Sequence, residues 1–131
     1  MPGAANKFAL EIDRDLASSL DDIRDIVVML GLEGITRIVN RTPVDTGRAR
    51  GNWSVSISSR DTTVSVDADP SGSGAINAGV SAVQSYPEEG WPSLFIQNNL
   101  PYIERLEDGY SGQAPNGMVA LTHSELVALS R

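Results

Sequence analysis

The sequence has no cysteine and a single histidine among 131 residues. Without cysteine, a disulfide scaffold, a Cys-ligated zinc site, an iron–sulfur cluster and a thiol nucleophile are excluded. The fold is then expected to be stable in a reducing compartment. Long apolar runs are also lacking: no stretch approaches the ~18 uninterrupted apolar residues that a membrane span requires. Met1-Pro2-Gly3-Ala4-Ala5-Asn6-Lys7 carries neither the charge nor the apolar run of a signal peptide, so a soluble chain is expected. Basic residues are the minority, ten Lys plus Arg against seventeen Asp plus Glu, for a net charge of −7. Nucleic-acid affinity comes from neutralising phosphates, so duplex binding is not expected of this chain. His123 stands alone, with nothing in the sequence to place triad or metal partners beside it, and reads as a helix-surface residue.

What is present suits one domain, residues 1–131, large enough to bury roughly two-thirds of its unfolded surface. Over residues 9–41 the apolar side chains Ile12, Leu16, Leu20, Ile23, Val27, Leu30 and Ile38 recur in steps that place them on one helical stripe. Asp13, Asp15, Asp21, Asp22 and Arg24 fall mostly on the other side. Gly31 and Gly34 weaken that helix by about 1 kcal/mol each relative to Ala, which points to a kink or a close contact. Thr42-Pro43 ends it, because a residue before proline is pushed out of the α region. Trp53, Val55 and Ile57 alternate with serines, and Val64 and Val66 alternate with polar residues. The spacing predicts a β-hairpin connected through residues 58–62, covered on its apolar side by the long helix. Residues 69–74 are turn-rich, and 75–84 carry at most a weak helical turn. Leu94, Phe95 and Ile96 form a short buried strand. A short helix over 101–106 follows, with Pro101 in its first position and Asn99 as its cap. After a loop at 108–116, residues 118–129 fit a C-terminal helix. The fold class is therefore α+β: a long N-terminal helix packed on a small antiparallel sheet, with a short helix and a C-terminal helix.

Few motifs suggest chemistry. Asp45-Thr46-Gly47 matches the aspartic-protease tripeptide, whose mechanism needs two carboxylates sharing a proton, supplied by a second lobe or a homodimer. That motif normally follows an apolar strand and precedes a small residue, whereas here a long helix with Pro43 precedes it and Arg48 follows. A structural turn explains it better. Thr42, Pro43, Asp45, Thr46 and Gly47 would close the passage from helix to strand, with Asp45 accepting from the following amides and Gly47 at positive φ. Glu104, Glu107 and Asp108 lack the ligand order of a calcium loop and read as a solvated helix face. Trp53 and Trp91 read as core or interface anchors. The glycines between Gly72 and Gly79 match neither a phosphate loop nor a dinucleotide fingerprint.

Two blocks resemble a known family. Arg41-Thr42-Pro43-Val44-Asp45-Thr46-Gly47-Arg48-Ala49-Arg50-Gly51-Asn52-Trp53 resembles the helix-to-strand junction of small tail-component and neck proteins of long-tailed bacteriophages, with Arg48, Arg50, Gly51, Asn52 and Trp53 carrying the motif. The run Ile96-Gln97-Asn98-Asn99-Leu100-Pro101-Tyr102-Ile103-Glu104-Arg105-Leu106-Glu107-Asp108-Gly109-Tyr110-Ser111, then Gln113-Ala114-Pro115 and Gly117-Met118-Val119, is similar to that family's downstream signature. Its motif positions are Asn98, Asn99, Pro101, Tyr102, Leu106, Glu107, Gly109 and Ser111. The resemblance implies a virion structural protein at the head–tail junction, a tail-completion or neck subunit made in the host cytoplasm. Such a subunit forms a homo-oligomeric ring, commonly sixfold, between the capsid connector or stopper and the tail terminator or tube. DNA passes through the ring without specific binding. A tail terminator or a head-closure stopper of the same particle is the alternative role. No catalytic residue, cofactor or metal comes with the resemblance.

Two features then stand as candidate subunit contacts. Arg37, Arg41, Arg48 and Arg50 make a basic cluster in an acidic chain. They would either pair locally, with Asp45 or with carboxylates of the long helix, or fix register against a neighbour. Residues 67–93 separate the expected hairpin from the next strand by more than a compact domain usually spends on a connection. They carry Ile76, Val80, Tyr86 and Trp91, apolar side chains needing cover, and are expected to form an assembly arm that orders against a neighbour.

Overall fold

A computed structural model describes the backbone of residues 4–109 and 111–131, and the side chains from Ser18 onward apart from Tyr110. The expected facing of Ile12, Asp13, Asp15 and Leu16 lies outside the described side chains. The elements are α1 (Ala4–Arg41), α2 (Arg48–Gly51), β1 (Trp53–Ile57), α3 (Ser73–Gln84), β2 (Leu94–Asn98), α4 (Ile103–Glu107) and α5 (Val119–Leu129). The fold is α+β, with α1 as its spine.

At 38 residues, α1 is about 57 Å long. Its C-terminal part enters the core through Ile35, Ile38 and Val39, all nearly inaccessible. Further back the stripe loses its cover, and Leu20, Ile23 and Ile26 are exposed. The two helical glycines mark close contacts. A Cβ on Gly31 would meet Val83 Cγ1 at 2.9 Å, and one on Gly34 would meet Ile96 Cδ1 at 2.7 Å. From the opposite helix, Gly79 of α3 returns the arrangement, since its Cβ would lie 2.6 Å from Ile35 Cγ1. Small residues on both helices thus let α1 and α3 approach closely, with β1 packed against α3 as well.

The sheet is two-stranded and antiparallel, pairing β1 with β2: Trp53 faces Asn98, Val55 faces Ile96, and Ile57 faces Leu94. This corrects the expected hairpin. Residues 63–66 are not a strand, and Val64 and Val66 are exposed, the latter by 82%. Alternation reveals which face of a strand is apolar but not which strand it pairs with. Ile96 and Leu94 gain cover from α1, and Val64 and Val66 have none to gain. On the sheet's outer face, Gln97 Nε2 donates to Ser56 Oγ at 2.9 Å.

The chain from 67 to 93 is also different from the expected arm. Its centre is a twelve-residue helix, α3, whose Ala75, Gly79 and Val83 are buried. Tyr86 is buried beyond it, with its hydroxyl donating to Pro92 O at 2.9 Å. Alanine, glycine and serine gave this helix a weak periodic signal, yet they are what a close helix–helix contact requires. The segment is part of the core.

Candidate functional site

The two blocks that carry the family resemblance meet in space. In the first, Thr42 is buried to 1% exposure, donates to Ile38 O at 2.6 Å and accepts from Trp53 Nε1 at 2.7 Å. The end of α1 is thereby tied to the start of β1, and the indole N–H has its partner inside the core. Gly47 has φ of 89°, and a Cβ there would fall 2.4 Å from Pro70 N, so the turn needs glycine twice over. Its carbonyl accepts from Gly51 N at 3.0 Å and Asp69 N at 3.1 Å.

Asp45 does not play the expected part. It is exposed and accepts a hydrogen bond from no described residue, while Thr46 Oγ1 takes the Arg48 amide at 3.2 Å. The turn is closed by backbone bonds to the Gly47 carbonyl and by Thr46, not by Asp45. Pro43 is buried, as a helix-ending residue packed under the turn.

The four arginines do not act as one cluster. Arg37 Nε pairs with Glu33 at 2.9 Å on α1, and its Nη1 reaches Glu125 of α5 at 2.7 Å. Arg41 bonds the other Glu125 oxygen and donates to Thr122 Oγ1 at 2.9 Å. Those hydrogen bonds, that from Arg41 foremost, hold the Glu125 carboxyl below its usual pKa. Arg50 donates to the carbonyls of Thr42 (2.8 Å), Asn40 (3.1 Å) and Pro70 (3.1 Å), capping the C-terminus of α1. Arg48 lies 3.3 Å from Ser65 O. All four are engaged within the chain, but among the described residues only Arg37 meets a carboxylate of the long helix, Glu33, and none pairs with Asp45.

The second block answers the first. Asn98 Nδ2 donates to Ala49 O at 2.9 Å, and its Oδ1 accepts from Leu100 N at 3.1 Å. Asn99 is not a helix cap; its Nδ2 donates to the carbonyls of Asp61 (2.8 Å) and Thr63 (3.0 Å). Correspondingly α4 begins at Ile103 rather than at Pro101, with Tyr102 before it. Gln113 pairs with the backbone of Val44 in both directions, accepting from its N–H and donating to its C=O, each at 2.9 Å. Between the blocks lies an open cavity of about 520 Å³, walled by Val44, Thr46, Arg48, Tyr102, Leu106 and Gln113. Ser111 Oγ accepts from Gln113 N at 3.2 Å at its rim.

Glu107 is the residue whose role the sequence reading missed. Its Oε1 accepts from Met118 N (2.7 Å) and Val119 N (2.6 Å), and its Oε2 from Ala120 N (3.0 Å). It supplies the acceptors that the first turn of α5 lacks within the helix. Burial opposes its ionisation, but the three amides outweigh that and hold its pKa below the usual value. Gly109 and Gly117 allow the intervening loop to close, with φ of 87° and 78°. A cap twelve residues before the first residue of its helix has no local signature, so helix-start rules could not reveal it. Asn52 was a motif position whose action is now explicit: its side-chain amide accepts from Ser65 N at 2.8 Å and donates to Ser65 O at 2.9 Å.

Of the remaining candidate contact residues, Ile76 and Val80 pack against the core. Trp91 is 48% exposed, with the Arg24 guanidinium 4.3 Å above its ring. Arg24 also donates to Pro87 O at 2.9 Å and Gly90 O at 2.8 Å, fixing the 86–92 loop. His123, Glu104 and Asp108 are exposed. Among the described residues no group of three His, Asp or Glu side chains is placed to hold a metal ion. No helix among them is long and apolar enough to cross a membrane. Compared with family models, curated proteins and solved structures, the chain matches none.

Proposed function

We propose that the chain is a structural subunit of a tailed-phage neck, a head–tail joining or tail-completion protein that acts as a homo-oligomeric ring. The supporting observation is the convergence of the two blocks on which the family resemblance rests. They are about forty residues apart in sequence, and side-chain amides lock them together: Asn98 on Ala49, and Gln113 on both backbone groups of Val44. Motif residues at this junction hold backbone segments in place, which is architectural work. Asp45, the residue on which a protease reading depends, is an exposed turn residue in the single chain. The partners would be the capsid connector or stopper on one side and the tail terminator or tube on the other.

The test is particle assembly without the protein. Cells making the phage with this gene interrupted should accumulate filled heads and separate tails, and the supplied protein should restore joining. Cryo-microscopy of complete particles would then place the ring in a definite layer, separating tail completion from the terminator and stopper roles. Normal joined particles in its absence would refute the proposal. A purified chain that cleaves peptides at acid pH, with the activity lost in Asp45→Asn, would replace it with the protease reading.

A further inference from the structure

Residues 60–69 run without a turn or bend, and their backbone bonding alternates. Asp61, Thr63, Ser65 and Asp69 turn backbone groups to the molecule, while the Asp67 and Thr63 amides bond side chains of the ribbon itself, Ser65 Oγ and Asp61 Oδ1. The Asp61 amide donates to Gln97 Oε1 at 3.1 Å, and the Asp61 and Thr63 carbonyls take the Asn99 amide. Ser65 is held in both directions by Asn52, and the Asp69 amide donates to Gly47 O. The even-numbered residues Thr62, Val64, Val66 and Ala68 make no backbone hydrogen bond to any described residue, and all four are exposed. An extended chain sends alternate N–H and C=O groups to opposite sides, so this ribbon presents one satisfied edge and one open edge. Natural proteins blunt such edges with lysine or proline, and 61–69 contains neither.

The same chain carries a matching acceptor. The bond from Ser58 N to Ser93 O, at 2.8 Å, sets the phase of the β1–β2 ladder. With Ile57 opposite Leu94, the bonded pairs are 56–95 and 54–97, so Leu94, Ile96 and Asn98 direct their backbone groups away from β1. None of those groups has a described partner. Between β2 and α5 lie two mostly apolar grooves of about 490 and 390 Å³, both walled by Ile96, the second also by Leu30, Leu94 and Leu126. The outward ribbon residues are uncharged, as is β2, and the carboxylates nearest the contact are Asp67 on the ribbon and Glu104 and Glu107 in the larger groove.

We propose that residues 62–68 of one copy add as a strand to the open edge of β2 in a second copy, seating valine side chains in the grooves beside α5. The contact joins different surfaces on the two copies, so it repeats head to tail and can close into a ring. This deepens the neck-ring reading and rests on it for closure; the pairing itself stands on the two open edges.

Val66→Pro tests it, because it removes an outward N–H that the monomer does not use. Purified full-length wild type, Val66→Pro and Val66→Thr would be compared by sedimentation over a wide concentration range and by amide hydrogen exchange. Wild type should self-associate, Val66→Thr somewhat more weakly because it keeps the N–H but puts a hydroxyl in the apolar groove, and Val66→Pro most weakly, roughly tenfold below wild type or worse. The thermal midpoint of dilute protein should be the same for all three. On association of the wild type, the amides of Val64 and Val66 should gain protection together with those of Leu94, Ile96 and Asn98. Equal association of Val66→Pro, protection of the ribbon without β2, or a wild type that stays monomeric throughout would each overturn the inference. The neck reading fails on a different result, heads and tails joining without the protein.

Discussion

Glu107→Gln isolates one carboxylate that carries the start of a helix. In the folded chain Glu107 accepts from three successive amides, of Met118, Val119 and Ala120, at 2.6–3.0 Å. Glutamine retains one acceptor oxygen, which can keep the Met118 and Val119 bonds, but turns an NH₂ group toward Ala120 and removes the charge. Hydrogen bonds to a charged group are worth about 1.5–3 kcal/mol, and a carboxylate at a helix N-terminus adds about 0.3–1 kcal/mol. With one of three bonds lost and the others weakened, the cost should be about 2 kcal/mol at pH 7. For a chain of this size that is a fall of roughly 6–8 °C in Tm.

The pH dependence has a definite sign. The folded-state pKa of Glu107 lies below its unfolded value. Its contribution is therefore fully present above the ordinary Glu pKa of about 4.3 and is lost as pH falls through the depressed folded value. The gap between wild type and Glu107→Gln should be wide at pH 7 and narrow markedly near pH 3. Subtracting the two proteins cancels the other titrating carboxylates. Urea denaturation at both pH values, monitored by circular dichroism, measures the gap. A variant as stable as wild type at pH 7, or a gap unchanged at pH 3, would refute the capping argument.

Thr42→Val should cost about 1–3 kcal/mol, because it leaves the buried Trp53 indole N–H without its acceptor; urea unfolding followed by tryptophan fluorescence reads the loss. Gly79→Ala should destabilise by about 1–2 kcal/mol despite alanine's better helix propensity, since its Cβ would collide with Ile35 across the α1–α3 contact; thermal unfolding checks the sign. Asp45→Ala should change stability by no more than about 0.5 kcal/mol, as an exposed side chain without a hydrogen-bond partner among the described residues; a shift in Tm of several degrees would contradict this. Glu125→Gln should weaken the α1–α5 contact and lower Tm slightly, an effect that shrinks in high salt because Arg37, Arg41 and Glu125 are all about one-third exposed; thermal unfolding at low and high salt checks it.

What the sequence alone determined follows from periodicity and from residues with few conformational options. The long helix and its end at Thr42-Pro43, the strand at Trp53–Ile57, the C-terminal helix and the glycine-dependent turn at Gly47 are legible because each depends on neighbours within a few positions. The α+β class follows from their order. Tertiary structure decided the rest. It paired Trp53–Ile57 with Leu94–Asn98 rather than with the nearby valines, because burial under α1 selects a partner that alternation cannot identify. It made Ser73–Gln84 a core helix, since small residues are unremarkable in sequence and become informative only when another helix lies against them. It gave Glu107 to α5, Asn52 to Ser65 and Gln113 to Val44, contacts eleven to sixty-nine residues apart that no local rule encodes. The open edge of 62–68 has the same origin, for a β-branched alternation promises a paired strand, and only the folded chain leaves half of its backbone groups free.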